Sequence, residues 1–347
     1  VGFIYQKKQI FKPCINNFLM NILITGGLGF IGSNFIELII NKPEVTCVVN
    51  IDCPSRLSAA ADTENCKQFK ENPKYQFHDI WLEHLDVKLN IDRFKQIIET
   101  NEITHIVHFA AESHVDNSIT GPRQFVLSNI MGTFNLLELC RQFYPTIRFH
   151  HISTDEVYGS LGEFGAFTEE TPYDPSSPYS ASKAASDHLV RAYFRTYKLP
   201  VTISNCSNNY GPNQHLEKFM PVVISSILNN KKIPVYGTGS NVRDWIYVED
   251  HCEAVWNVLI KGKLGESYNI GGNCEKQNLE IITEICKQMD KDPNDFIVFV
   301  EDRKGHDYRY AIDNIKYLST IGEKPKTSFE EGVQKTIQYY ENRILHT

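Results

Sequence analysis

Tyr179 and Lys183 stand four residues apart in the run Tyr179-Ser-Ala-Ser-Lys183, so a helix there places both side chains on one face. A free tyrosine titrates near pH ~10, too high for a base at neutral pH, but an adjacent ammonium favours the phenolate. A phenolate can take the proton from a hydroxyl while hydride leaves the same carbon for a cofactor. Asp155 and Glu156, inside Ser153-Thr-Asp-Glu-Val-Tyr-Gly159, supply two carboxylates. Two carboxyl groups in unlike environments can divide the work of acid and base. Neighbours on a regular strand point to opposite faces, so both reach one substrate only if the strand ends at Ser153 or Thr154.

Gly26, Gly29 and Gly32 lie in Ile22-Leu-Ile-Thr-Gly-Gly-Leu-Gly-Phe-Ile-Gly32. Their spacing lets the backbone turn, approach a pyrophosphate and then pack a helix whose N-terminus meets the negative charge. Asp52 follows twenty residues after Gly32, ending the next strand run. It suits a ribose 2′-hydroxyl and repels a 2′-phosphate, which favours NAD over NADP, although Arg56 nearby weakens that preference. Singly, each feature has a plain alternative: a surface Tyr and Lys after Pro178, a polar turn at a strand end, an ordinary strand-to-helix turn.

These residues need elements to hold them. From Met20 to about Ile152, β-rich runs at Asn21–Thr25, Thr46–Ile51, Tyr75–His78, Thr104–Phe109 and Arg148–Ile152 alternate with helical patterns at Ile31–Ile40, Ile91–Glu99 and Gln124–Phe143. That alternation predicts an α/β protein with a Rossmann-type, doubly wound parallel sheet covered on both faces. Asp187–Arg195 and Val201–Asn205 continue the pattern. After Tyr210-Gly-Pro212, helices at Met220–Leu228, Glu249–Ile260, Leu279–Met289 and Ser328–Tyr340 alternate with brief strands. This predicts a smaller, interleaved C-terminal substrate lobe. The expected division is an extension over residues 1–19, an NAD-binding domain with the catalytic residues mainly over 20–205, and the substrate lobe mainly over 206–347.

The 347 residues are 41% hydrophobic and 22% charged, ordinary for a globular chain and unlike a disordered one. Lys and Arg number 35 against 42 Asp and Glu, a net charge of −7 that argues against nucleic acid as partner. No run approaches the roughly 18 apolar residues of a membrane span. Nine cysteines without a C-x-x-C pair read as reduced thiols in the cytoplasm. No H-E-x-x-H or paired-Cys spacing occurs, so no metal is expected. His105, His108, His150 and His151 fall on strands and read as structural. Asn205-Cys-Ser207 fits a glycosylation acceptor formally, but at a strand end predicted to be buried.

Further runs carry a family likeness: Ala110-Ala-Glu-Ser-His-Val-Asp-Asn-Ser118, Asn205-Cys-Ser-Asn-Asn-Tyr-Gly-Pro212, Arg243-Asp-Trp-Ile-Tyr-Val-Glu-Asp250, Tyr268-Asn-Ile-Gly-Gly272 and Gly305-His-Asp-Tyr-Arg-Tyr310. With the glycine turn and the Tyr179/Lys183 pair, the chain resembles the extended short-chain dehydrogenase/reductases. Within them it resembles the nucleotide-sugar 4,6-dehydratases, the dTDP-glucose branch most closely, over roughly Met20 to Tyr340. The resemblance implies catalytic roles for Thr154, which hydrogen-bonds the reacting hydroxyl, for Asp155 as acid, Glu156 as base, and for Tyr179 and Lys183. It implies NAD contacts from Gly26, Gly29, Phe30, Ile31, Gly32, Asp52, Asp79, Ile80, Ala110, Ala111 and Asn209, besides Tyr179 and Lys183. It implies substrate contacts from Ser113, Thr154, Asn208 and Lys218, and a diphosphate clamp of Arg243, Asn278, Arg303 and His306.

The implied reaction oxidises C4 of a glucosyl nucleotide through Tyr179 and NAD. Glu156 then removes the C5 proton, Asp155 helps the C6 hydroxyl leave as water, and hydride returns to C6, which makes the enzyme a lyase. A homodimer through a four-helix bundle of Gln124–Phe143 and Ser182–Lys198 is also implied. Lys304 and Glu323 depart from the bacterial pattern of Pro and Trp, and Gly211-Pro-Asn-Gln214 and Gly239–Arg243 resemble plant-type enzymes, so dTDP against UDP stays open. A nucleotide-sugar 4-epimerase shares the fold and the Tyr/Lys pair but usually has small residues at 155 and 156. A GDP-mannose 4,6-dehydratase normally has Ser at 155 and prefers NADP. A non-catalytic NAD-binding regulator needs none of Thr154, Asp155, Glu156, Tyr179 and Lys183 together.

Overall fold

The computed structural model describes residues 19–54, 62–302 and 307–345. The expected N-terminal extension, Leu19 apart, and the positions Arg56, Arg303, Lys304 and His306 lie outside them.

Strand-forming runs rich in Val and Ile become β1 (Met20–Thr25), β2 (Val45–Asp52), β3 (Tyr75–Asp79), β4 (His105–His108), β5 (Arg148–Thr154) and β6 (Val201–Cys206). The smaller strands are β7 (Asn208–Tyr210), β8 (Ile233–Tyr236), β9 (Val242–Tyr247), β10 (Ser267–Ile270), β11 (Glu275–Gln277) and β12 (Ile297–Val300). Seven strands form one sheet in the order β10-β6-β5-β4-β1-β2-β3, and every pairing in it is parallel. The order reverses between β1 and β4, the switch point at which open α/β sheets bind ligands.

Alternation along β1 shows why both faces are covered. Ile22 and Ile24 enter one apolar cluster with the helices Phe30–Ile40 and Val248–Lys261, while Leu23 enters another with Lys88–Thr100, Gly132–Phe143 and Pro178–Tyr197. Burying such side chains contributes on the order of 1.5–3 kcal/mol each before entropy is charged against it. The seventh strand, β10, and the helix Val248–Lys261 come from beyond residue 206, so the chain returns to the large sheet after starting its second lobe. That lobe has its own core, in which Tyr210, Trp245 and Tyr247 meet the helices Phe219–Leu228, Asn278–Gln288 and Phe329–Leu345. Its strands form a three-stranded sheet, β11-β9-β7, and a pair, β12-β8.

The run read as one helix over Gln124–Phe143 is interrupted. Pro122–Phe125 is α-helical, Val126–Met131 is a π turn, and Gly132–Phe143 resumes the α-helix. Side-chain hydroxyls occupy the displaced Asn129 carbonyl there: Thr133 Oγ1 at 2.6 Å and Ser186 Oγ at 2.7 Å. A hydrophobic period does not reveal a one-residue insertion of this kind.

Candidate active site

The cavity opens at the C-terminal ends of β1, β4, β5 and β6 and has a volume of about 420 Å³. At one end β1 runs into the glycine turn. Gly26 has φ +75°, and a Cβ on it would lie 2.5 Å from Ala110 N; a Cβ on Gly32 would lie 2.3 Å from Gly26 O. Only glycine leaves this cradle open. The helix Phe30–Ile40 begins there with no side-chain cap and no acidic residue in its first turn, leaving its first N–H groups to an anion. Asp52, at the end of β2, accepts hydrogen bonds from Leu28 N at 2.9 Å and Cys53 N at 2.8 Å. Its carboxylate is thereby fixed beside the turn. These residues fit a dinucleotide whose pyrophosphate sits on the helix and whose ribose meets Asp52.

At the other end β5 stops at Thr154, which satisfies the geometric condition on the carboxylates. Thr154 caps a 3₁₀ turn over Asp155–Tyr158 by accepting from Glu156 N at 3.3 Å. The turn carries both Asp155 and Glu156 into the cavity wall. Asp155 is 1% exposed, and its Oδ2 is buried without a hydrogen-bond partner. Burial first, then the charges of Glu156 and Asp244, push its carboxyl well above the ordinary range, against the pull of Arg243. Burial thus favours the protonated form of Asp155 beside a second carboxyl group, an arrangement that suits an acid/base pair.

The helix Pro178–Tyr197 starts at a capping box between Ser177 and Ser180, with Pro178 in its first turn. It brings Tyr179 and Lys183 into the same wall. Lys183 donates to Ile152 O at 2.7 Å, and burial lowers its pKa, with Asp187 opposing. The Tyr179 phenol is pushed well above its usual value by burial and by Glu156, while a hydrogen bond with Thr154 works the other way. The protein alone therefore holds Tyr179 protonated, and Lys183 does not by itself produce the phenolate that the sequence suggested.

Gly26, Gly29, Phe30, Ile31, Gly32, Asp52, Ile80, Ala110, Ala111, Ser113, Thr154, Asp155, Glu156, Tyr179, Lys183, Asn208, Asn209 and Lys218 share this one cavity. Lys218 spans it by donating to Ser113 O at 2.9 Å. Asp79 is outside the wall. It is an exposed residue of edge strand β3 whose carbonyl accepts from Arg93, and alternation sends its buried neighbour Ile80 inward instead. Arg243 and Asn278 are also outside the wall. Arg243 lies on β9 with its guanidinium on the carbonyls of Val242 and Asp307 and 4.3 Å from the Tyr310 ring centre. Asn278 begins a helix at which its N–H donates to Asn241 O.

Three groups escaped the sequence reading. Glu217 lines the cavity beside Lys218. Tyr310 is buried within electrostatic reach of Glu156 and Arg243. Asp187 is fully buried one turn beyond Lys183, accepts from Ser153 Oγ at 2.7 Å and Tyr173 OH at 2.8 Å, and lies 3.2 Å from His151 Nε2. The repeated i, i+4 spacing of Tyr179, Lys183 and Asp187 is a signal that could have found the last. His108 and His150 are buried neutral by their strands, His108 between Thr25 and Thr133. Among the described residues no group of three His, Cys, Asp or Glu is placed to hold a metal.

A dinucleotide cradle and a Tyr/Lys helix that face each other across the edge of a parallel sheet define the short-chain dehydrogenase/reductase class. A family model described as GDP-mannose 4,6 dehydratase matches residues 23–336. The chain is 47% identical to a dTDP-glucose 4,6-dehydratase of Haemophilus influenzae over 93% of its own length and 98% of the relative's. A crystal structure of the Bacillus anthracis dTDP-glucose 4,6-dehydratase in complex with NAD superposes with a TM-score of 0.83 at 44% identity, over 93% of this chain and 97% of that one. The Streptomyces venezuelae enzyme DesIV, also a dTDP-glucose 4,6-dehydratase with NAD bound, gives 0.86 at 39% identity, over 94% and 98%. The chain belongs to the dTDP-glucose 4,6-dehydratase family.

Proposed function

We propose that this cavity converts dTDP-glucose to its 4-keto-6-deoxy derivative by eliminating water, with NAD as resident cofactor. The observation that carries the reading is Asp155, a buried carboxyl with an unpartnered Oδ2, one residue from Glu156 and in the same wall as Tyr179 and Lys183. Membership of the family, and its relatives' names, support dTDP as the nucleotide.

The glycine turn and Asp52 would hold NAD, which would supply the acceptor for hydride from C4 and its donor to C6. Thr154 and Tyr179 hold the C4 hydroxyl, and Tyr179 takes its proton, with the Lys183 ammonium stabilising the phenolate. The resulting ketone acidifies C5–H, Glu156 removes that proton, and Asp155 delivers its own to the departing C6 hydroxyl; once C6 is reduced, Glu156, after exchange with solvent, returns a proton to C5, and Asp155 regains its proton from solvent. Lys218, Ser113 and Asn208 orient the sugar. Arg243 and Asn278, in the second lobe, together with Arg303 and His306, hold the diphosphate; guanidinium is well shaped for that.

The same reading divides the chain into a cofactor domain mainly over 20–205 and a nucleotide-sugar lobe mainly over 206–347, and the separate apolar core of the second lobe supports it. It includes a homodimer through a four-helix bundle, which the exposed Met131, Phe134 and Phe143 on one candidate helix and Tyr197 on the other support. It places the enzyme in the cytoplasm. All eight described cysteines are free, and among the described residues no helix is long and apolar enough to cross a membrane.

A side-by-side assay of dTDP-glucose and UDP-glucose, reading the product's mass, tests the reaction and the nucleotide together. Loss of one water from dTDP-glucose, with UDP-glucose much slower, is expected. Turnover of UDP-glucose alone would overturn the nucleotide, and turnover of neither would overturn the activity.

A further inference from the structure

The last helix, Phe329–Leu345, belongs to the second lobe, yet its Arg343 reaches the cofactor end of the first, and its Tyr339 and Tyr340 hold a loop that is bonded to that end. Arg343 bonds the Asp62 carboxylate and donates to Asn65 Oδ1 at 3.4 Å. Asp62 N and Asn65 Nδ2 both donate to Leu28 O, at 3.3 and 2.9 Å, and Leu28 N donates to Asp52. One arm therefore runs from the end of the chain to the middle of the glycine turn and on to the carboxylate that meets the ribose.

The second arm starts from Tyr339, whose hydroxyl donates to Asn213 Oδ1 at 2.6 Å. Asn213 Nδ2 donates to Ser33 Oγ at 3.1 Å, and Asn34 Nδ2 to Pro212 O at 3.0 Å, which staples this loop to the first turns of the pyrophosphate helix. Tyr340 OH donates to the next carbonyl, that of Gln214. From there the loop passes over the cavity as His215, Glu217 and Lys218. Arg343 donates to the Tyr339 hydroxyl at 2.7 Å, so the two arms meet in one pair of side chains.

We propose that Tyr339 and Arg343 are positioning residues for the dinucleotide. Together they latch the glycine turn and the covering loop to the last helix, and so keep the cofactor in place through successive turnovers. The inference rests on the cofactor reading above and deepens it: a cofactor regenerated in place gains nothing by leaving, and this latch ties the glycine turn and the loop over the cavity to one helix. Arg343 is about one-third exposed, so its substitution leaves the helix's apolar face intact.

The test loads wild-type protein, Tyr339→Phe, Arg343→Ala, Arg343→Lys and the Y339F/R343A double variant with NAD. Free nucleotide is then removed by gel filtration, and NAD still bound is followed over time, alongside the melting temperature of each apo-protein. Each single variant is expected to lose NAD on the order of tenfold faster, the double variant faster still, and Arg343→Lys to fall between. Lys335→Ala, on the same helix but outside both arms, keeps wild-type retention. Wild-type retention in the double variant, or a loss matched by an equal loss with Lys335→Ala, would overturn the latch alone. Wild-type protein that binds no NAD would overturn the latch and the cofactor reading together.

Discussion

The two ends of the cavity are built on different physical grounds. At the glycine turn the work is done by backbone and by missing atoms: no Cβ at Gly26 or Gly32, uncapped helix N–H groups, and a carboxylate at Asp52 pinned by main-chain donors. At the Thr154 end the work is done by titratable side chains whose ordinary behaviour burial has changed: Asp155 and Tyr179 are pushed up and Lys183 down. The first end is a matter of shape, so damage there shows as lost binding. The second is a matter of proton affinity, so damage there shows in rate and pH dependence while binding survives.

The sharpest way to break that contrast is Tyr179→Phe, which removes one hydroxyl at the reactive end. A fall in kcat on the order of 10²–10⁴ is expected with bound NAD unchanged, measured by product formation and by nucleotide released on denaturation. Asp155→Asn should cost about 10² or more in water loss while oxidation at C4 continues, so absorbance of reduced cofactor rises on substrate addition. The same variant carries a stability signature. Asp155 has its folded pKa raised above the unfolded value, so its contribution is fully present below the unfolded value and is lost as pH rises through the folded one. The melting temperature of Asp155→Asn relative to wild type should therefore climb with pH.

Gly32→Ala attacks the other end. The added methyl would meet Gly26 O at 2.3 Å, an overpacking of about 1–3 kcal/mol, or roughly 5- to 150-fold in NAD affinity by titration. Turnover at saturating NAD should suffer far less.

Beneath the catalytic end lie histidines that burial keeps neutral, His151 lowered to about 4 and His251 to about 3. Their unfolded pKa is near 6.5, so the unfolded chain binds more protons below it. Stability present above pH ~6.5 is lost as pH falls toward 4, and thermal melts across that window should show it. The smallest effect belongs to Ser177→Ala. Removing the cap that starts the Tyr179 helix should cost about 1 kcal/mol in a denaturant titration.

The same contrast explains what was legible in advance. Gly26, Gly29, Gly32 and Asp52 could be read because a turn and its acid are local in sequence. Tyr179 and Lys183 could be read because a helical turn is local too. That Asp155 and Glu156 share a cavity depended on where β5 stops, and Thr154 decides it by capping the next turn. Asp187 was signalled by its helical spacing from Lys183, but Tyr310 and the Arg343 latch were not legible, because their partners lie tens to hundreds of residues away and only the fold assembles them. Arg243 was read as part of a diphosphate clamp, but its guanidinium packs on backbone carbonyls and Tyr310 outside the cavity wall, a long-range detail that no motif records.

In the proposed reaction Asp155, Glu156 and Tyr179 carry out an elimination at C5 and C6 with NAD returned unchanged. Turnover of dTDP-glucose in heavy water tests it most directly. The expected product is lighter by one water and carries one solvent deuterium at C5, with no net consumption of NAD. A product of unchanged mass, epimerised at C4 and without deuterium at C5, would contradict it.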